Sequence, residues 1–390
     1  MDHNDACAFG YSARVGGQYG IAFGWDSRVD NTGGVAIGAS AYVDGNNSVA
    51  IARECSVTVS NSVVIGYLAS IAATSSVAIG YDADVASTAS QSIAIGQTAT
   101  TDSIGAVAVG YAATGAGQYG VAMGWTSTVG GDNGVAIGPN TNASADGAIA
   151  MGSAAAASAA SGVAIGVSAA ASGENSTAVG ASATATGENA TAVGYQASAT
   201  SDNTVYIGNS AVASIGGIVN WTAASDGRLK SNVQENVPGL DFINGLRPVT
   251  YTMNTELIPQ LRGQAIPADL AAAYADKAQT TYTGFIAQEV EATAPNTDYD
   301  FSGVKTPQNE DDIYGLRYAE FVVPLTKAVQ ELDEQHQSNE AIIQKNKTKL
   351  AHYEHTIAEL KAKVEALKSQ KEATANNHSE QSISTVSQPK

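Results

Sequence analysis

A serine and a lysine five residues apart, Ser225 and Lys230, are the pair in this 390-residue chain best suited to breaking a bond. A short turn between them would bring the two side chains face to face. The amine then acts as general base for the hydroxyl, provided burial weakens its hold on the proton. Histidine is not available for that role: the five histidines are His3, His336, His352, His355 and His378, and none falls between 225 and 330. A Ser-His-Asp arrangement inside that region is therefore excluded. Two cysteines, Cys7 and Cys55, make neither a disulfide framework nor a zinc set, and no metal or cofactor is expected. On spacing alone Ser-x-x-x-x-Lys is a weak signal, and the pair reads as a solvated turn before it reads as a dyad.

The parts of the chain that must position this pair differ in composition. Lys and Arg number 19 against 37 Asp and Glu, a formal charge of −18. Such acidity argues against nucleic acid as a partner, since neutralising phosphates needs a basic face. The charge is also uneven: residues 1–224 hold three arginines, no lysine and 14 acids, while 225–390 hold 16 bases and 23 acids. Two architectures meet near residue 224. Apolar residues make up 44% of the chain but aromatics only 6%, with 40 glycines, so the core must be built from small side chains. No apolar run approaches the roughly 20 residues of a membrane span. The opening residues, MDHNDACAFG, show neither the basic nor the apolar region of a signal peptide.

The first architecture repeats every 14 residues. Phrases like VAIG end at Gly10, Gly24, Gly38, Ala52, Gly66 and Gly80, then, after one 16-residue step, at Gly96 and every fourteenth residue to Gly208, giving 15 units. A longer duplication overlies this period, because Tyr11, Gly17–Gly20, Trp25 and Gly34–Gly38 reappear 100 residues later as Tyr111, Gly117–Gly120, Trp125 and Gly134–Gly138. Three residues before the glycine runs a column of mostly Val and Ile, beginning Cys7, Ile21, Val35 and Val49. One residue before it runs another, beginning Phe9, Phe23, Ile37 and Ile51. Two apolar positions separated by one small residue are the alternation of a strand; both share a side, taken as the inward one. After the glycine come a small column (Ala13, Ser27, Ala41, Cys55) and an apolar one (Val15, Val29, Val43, Val57), the mark of a shorter second strand. Turn residues such as Asn46-Asn47-Ser48 fill the remainder.

Two short strands and two tight turns per unit make one coil of a β-solenoid, and the stack forms a rod roughly 70 Å long at about 4.8 Å per coil. One coil cannot close a core with Ala, Val and Ile alone, so coils must stack, and packing against other chains is expected. In this register Cys7, in the valine column, and Cys55, in the alanine column, are expected to be buried free thiols. Directly after the glycines stand Tyr11, Trp25, Tyr67, Tyr81, Tyr111, Trp125 and Tyr195. At a strand end these form either an exposed stripe able to stack on sugars or protein, or padding between chains. No column is continuously Thr, which argues against an ice- or crystal-binding face.

Segments such as Asn47-Ser48-Val49-Ala50-Ile51 and Ser75-Ser76-Val77-Ala78-Ile79-Gly80 resemble the 14-residue head repeats of trimeric autotransporter adhesins, over residues 1–208. That resemblance implies a left-handed parallel β-roll in which three chains pack together. Further on come Ser225-Asp226-Gly227-Arg228-Leu229-Lys230, then Leu240–Val249, then Thr283–Val290, then Tyr318-Ala319-Glu320 and a long helix. In that order these blocks resemble the intramolecular chaperone of endosialidase type, peptidase family S74. The family folds as a trimer at the C-terminus of phage tail fibres, tailspikes and some bacterial surface proteins. It guides trimerisation of the β-structured region before it, then cuts itself off just ahead of the motif's serine. Carried onto this chain, the resemblance implies a cut between Ala224 and Ser225, with Ser225 as nucleophile, Lys230 as general base and Asp226 as orienting or structural partner. Gly227 stands where many relatives have a larger residue.

From about Leu325 the pattern turns to heptads. Val329, His336, Ile343, Leu350, Ile357 and Val364 hold position a; Leu325, Leu332, Asn339, Asn346, Tyr353, Leu360 and Leu367 hold position d. β-branched a with Leu at d favours two strands, so the helix alone does not establish a trimer. Asn339 and Asn346 resemble the core asparagines that hold an anion on the three-fold axis of adhesin stalks; register specification is the other reading. The expectation is a mostly β chain: a β-roll of about 15 coils (1–208), a connector (209–224), a small α+β chaperone domain (225–330), a trimeric coiled coil (331–372) and a disordered tail (373–390). Functionally it reads as a homotrimeric fibre or adhesin segment of a virion tail fibre or bacterial surface, with a host-surface glycan or protein as receptor. The alternative is a structural surface protein whose chaperone stays attached.

Overall fold

The computed structural model describes residues 5–261, 266 and 268–384. Fifteen three-residue strands, from Cys7–Phe9 to Val205–Ile207, stack as one parallel sheet. Fourteen two-residue strands, from Arg14–Val15 to Ser198–Ala199, stack as a second. Register advances by 14, as in Val35↔Val49 and Tyr42↔Ser56, and once by 16, at Val77↔Ile93 and Asp84↔Thr100. The two extra residues are thus taken up in the turn after Asp84–Val85, where Ala89 is buried.

Each coil closes because its turns use the left-handed region. The glycine column has φ between +81° and +148°, and a Cβ on Gly124 would lie 2.3 Å from the carbonyl oxygen of Gly138 in the next coil. Both the dihedral and the space disfavour a side chain there, and Ala52, at φ +136°, is the member of the column that carries one. The opposite turn passes through φ near +55° at Asn47, Asn133, Asn175 and Asn189, a conformation that asparagine tolerates.

The core corrects the inward assignment of Val and Ile. The buried column is the small residue between them, Ala22, Ala36, Ala50, Ala78, Ala94 and their successors, faced by Ala41, Val43, Cys55 and Val57 from the second strand. Val35 is only half-buried, while Ile37 is 37% exposed and Phe9 66%. Alternation establishes that two positions share a face but not which face is inside. In most coils the interior takes one small residue of the first strand, alanine, with Val, Ile or Ala of the second strand, so the first strand's own Val and Ile stand outside; in one coil Val64 takes the alanine's place. Cys7 belongs to that outward column and is exposed, whereas Cys55 is buried as expected.

Beyond the roll lie helices α1 (Leu240–Gly245), α2 (Leu257–Leu261), α3 (Ala271–Gln279), α4 (Ala287–Thr293) and α5 (Val322–Ser384). Two compact units divide the chain: Met1–Ala223 with Tyr251–Tyr282 and Pro307–Ile313, and Ala224–Thr250 with Thr283–Thr306 and Tyr314–Lys390. Two segments expected to belong to the second architecture therefore fold with the roll. Lys277 on α3 donates to the carbonyls of Ser210 and Val212, each at 2.8 Å, and Asn309 Nδ2 donates to Thr200 O at 3.1 Å. The second unit closes on Phe242, Val290, Phe301 and Phe321, with α1 packed on α5 and Leu240 N–H donating to Glu331 Oε2 at 2.7 Å. Pro324 lies in the first turn of α5, where a missing N–H is tolerated, and no Gly or Pro follows before Ser384. Residues from 373, expected to be disordered, are accordingly helical to Ser384; 385–390 lie outside the described residues.

Candidate active site

Residues 225–230 make one tight turn in the second unit. Gly227–Leu229 is a single 3-10 turn, opened by the Asp226 carboxylate, which accepts from Arg228 N–H at 2.9 Å, and closed by Lys230 N–H to Gly227 O at 3.2 Å. Aspartate suits that start because its short side chain reaches the otherwise unpaired N–H groups of the turn. Lys230 is extended (φ −104°, ψ 130°), and its side chain folds back so that Nζ donates to Ser225 Oγ at 2.8 Å. The two groups, which spacing alone assigned to a solvated turn, are in hydrogen-bond contact on an exposed turn.

Asp226 is turned the other way. Both its oxygens accept from Arg228, at 3.1 and 3.0 Å from Nε and 2.5 Å from the second terminal nitrogen. That hydrogen bonding holds the Asp226 carboxyl below the usual carboxylate range. Its contacts are those of a residue that shapes the turn. A Cβ on Gly227 would meet nothing within 4 Å, so the turn has room for a larger residue at this position. The whole turn is exposed, as are Val233 in the same unit and Ile218, Val219 and Trp221 in the first.

The remaining expected residues lie apart from the turn. Tyr11, Trp25, Tyr81, Tyr111, Trp125 and Tyr195 are exposed, and Tyr67 is half-buried. They form pieces of a ladder: Tyr67 and Tyr81 have ring centroids 5.7 Å apart, Tyr111 and Trp125 6.1 Å, and Arg53 sits 4.1 Å over the Tyr67 ring. Asn339 and Asn346 are exposed on α5. One cluster escaped the sequence reading, that of Arg28 with Asp30 and Tyr42. A signal for it was available, because two of the three arginines before residue 225, Arg14 and Arg28, occupy the same position of adjacent repeats.

Fold and turn together define a β-solenoid head followed by a second unit that opens on a Ser-Lys contact. Residues 225–299 match the family model for the chaperone of endosialidase, Peptidase S74. Residues 4–27, 30–51, 87–113, 116–141, 130–155, 143–169, 157–183 and 185–211 match the YadA head domain repeat. The chain thus carries YadA-type head repeats and a chaperone-of-endosialidase domain. Among solved structures it is similar to the collagen-binding domain of the Yersinia adhesin YadA, at 22% identity over 48% of this chain and 78% of that one, with a TM-score of 0.19. No curated protein matches it. Among the described residues no helix is long and apolar enough to cross a membrane.

Proposed function

We propose that this chain is one protomer of a homotrimeric fibre or adhesin segment, on a virion tail fibre or bacterial surface, whose chaperone domain directs trimerisation and then cuts the chain between Ala224 and Ser225. The observation that carries the chemistry is the 2.8 Å contact of Lys230 Nζ with Ser225 Oγ. Trimerisation is supported by two exposed apolar faces among the described residues. One is the outward Val and Ile face of the roll; the other is the stripe of Leu332, Ile343, Leu350, Ile357 and Leu360 on α5, each about half exposed. On the same reading, Asn339 and Asn346 hold an anion on the three-fold axis, and the exposed aromatics of the roll face a host-surface glycan or protein.

On this reading the Lys230 amine, within hydrogen-bond reach of Ser225 Oγ, serves as the general base. The neutral amine accepts the Ser225 hydroxyl proton, and Oγ attacks the carbonyl carbon of Ala224 immediately before it. The C–N bond breaks as its nitrogen takes a proton from Lys230, leaving an ester between Ala224 and Ser225 Oγ. Water hydrolyses that ester to an Ala224 carboxylate and a Ser225 with free amine and hydroxyl. Asp226, held by Arg228, keeps the turn closed throughout.

Denaturing mass spectrometry of freshly expressed protein tests this. Two fragments divided after Ala224 are expected, with Ser225→Ala remaining an intact trimer. Intact wild type at full trimer content would instead favour a chaperone that stays attached. Equal cutting in Ser225→Ala would assign the break to an outside protease.

A further inference from the structure

We infer that the first coils of the roll carry a binding site for an acidic saccharide, a sugar bearing a carboxylate or sulfate, centred on Arg14 and Arg28. Arg14, Arg28 and Tyr42 occupy the same outward position of the short strands in three successive coils, in register with one another. With Asp26 and Ser40 they line a cleft of about 230 Å³. Two arginines directly opposite each other are an unfavourable ladder pair. One of them is neutralised in place: Arg28 reaches Asp30 from Nε and from a terminal nitrogen, each at 2.6 Å, while the Tyr42 hydroxyl donates to Asp30 at 3.2 Å. Arg28 also lies 5.4 Å over the Tyr42 ring. Arg14 forms no ion pair with a described residue, and a guanidinium has five N–H donors to satisfy.

The chain contains its own control. The block duplicated 100 residues later stacks in the same register with Thr114, Thr128 and Asn142 in place of Arg14, Arg28 and Tyr42, and with Gly130 in place of Asp30. The fold at this position does not require arginine. What the first copy adds is two of the three cationic side chains of residues 1–224, gathered at one cleft. A local rule broken without a structural need points to function.

The mixture of groups specifies the ligand class. A guanidinium fork matches the oxygens of a carboxylate or sulfate with two parallel hydrogen bonds. Asp26 and Ser40 line the same cleft and can accept hydrogen bonds from sugar hydroxyls, which a bare anion lacks. Tyr11 and Trp25, exposed on the same coils, offer ring faces to the apolar side of a sugar. One acidic group beside several hydroxyls on a compact ring is the chemistry of an acidic sugar unit.

Titration calorimetry on the full chain tests the site with four probes: a hyaluronan tetrasaccharide (carboxylate only), a heparin tetrasaccharide (sulfate and carboxylate), a neutral chitin tetrasaccharide and sodium sulfate. At least one acidic tetrasaccharide is expected to bind, and which of the two identifies the acid group. Arg14→Thr and Arg28→Thr, which install the residues of the second copy, should each weaken that binding about tenfold or more. Circular dichroism and trimer content should be unchanged in both. Arg14→Lys, which keeps the charge and loses the fork, should also weaken it. Binding of neither acidic probe would overturn the inference. So would equal binding of the neutral sugar or of sodium sulfate, or undiminished binding when both arginines are threonine.

Discussion

Replacing Ala52 by glycine is expected to stabilise the roll. Ala52 has φ +136° in a column where fourteen glycines take values from +81° to +148°. A side chain held in that region costs on the order of 1–3 kcal/mol. Against that relief stand the larger unfolded-state freedom of glycine, about 0.4–1 kcal/mol, and the loss of one half-buried methyl, under about 0.8 kcal/mol. The balance is a gain of about 1 kcal/mol per chain. The hydrogen bond from Cys55 Sγ to Ala52 O, 3.1 Å, uses the backbone and survives the change. For a cooperative unit of roughly 200 residues, a gain of that size raises Tm by about 2–4 °C. The reciprocal change, Gly124→Ala, adds the same strain and puts a methyl 2.3 Å from the carbonyl oxygen of Gly138. It should destabilise by about 2 kcal/mol or more. Far-ultraviolet circular dichroism during thermal and urea unfolding, at matched protein concentration, measures both. A lower midpoint for Ala52→Gly, or a neutral Gly124→Ala, would refute the claim that backbone strain and coil-to-coil spacing select glycine here.

Lys230→Ala should slow cleavage about 10²- to 10⁴-fold at matched trimer content, the usual contribution of a positioned general base. Lys230→Arg should fail likewise, because guanidinium stays charged; quantifying the cleaved fraction over time checks both. Burial pushes the Cys55 thiol up to about 11, so at pH 8 only about one in a thousand is thiolate, and a thiol reagent should label it far more slowly than the urea-unfolded chain. Because that folded value lies above the unfolded one, the associated stability is present below about pH 9 and is lost as pH rises toward 11. Urea midpoints at pH 8 and 10.5 should accordingly fall less in Cys55→Ala than in wild type.

Coil number, the 16-residue step and the Ser-Lys turn were legible because each depends on which residue types recur or stand together. Which face of the strand lies inside was not. Val35 and Ile37 share a side, and the usual rule puts the larger apolar groups in the core. Here the second strand already supplies Val29, Val43 and Val57 to the interior, so the first strand contributes only its small middle residue: Ala36 is buried and its neighbours face out. Cys7 was misplaced for the same reason, while Cys55, in a column whose small residues are needed inside, was not. The link from Lys277 to the carbonyls of Ser210 and Val212 spans 67 and 65 residues and has no local pattern, so only the folded chain reveals it. Asp226 could be read as part of a turn, but its preference for Arg228 over the dyad is a matter of side-chain direction.

The outward placement of Val and Ile also bears on the proposed role of the chaperone domain in setting the register of the roll. Each coil closes on its own alanine ladder and is positioned by the coil beside it, as in Val35 N–H donating to Ser48 O at 2.9 Å. What neighbouring chains can share is the outer face, where Val35, Val49, Val63 and Val77 follow one another in one column and Ile37, Ile51, Ile65 and Ile79 in the next. A chain slipped by one coil still sets Val on Val and Ile on Ile, and loses only the contacts of one end coil among fifteen. Only a few features resist the slip, among them the stacked Phe9–Phe23 pair at 5.0 Å and the turn holding Ala89. Repeats this uniform are prone to alternate pairings and kinetic traps. A trimeric clamp C-terminal to the roll, built on α5 and the Phe242 core, would align the last coils of three chains at once. Since each coil is fixed by the one beside it, alignment there propagates along the stack. On the proposed function, once every coil is paired the outer face would hold the register without the clamp, and the proposed cut after Ala224 would no longer endanger it.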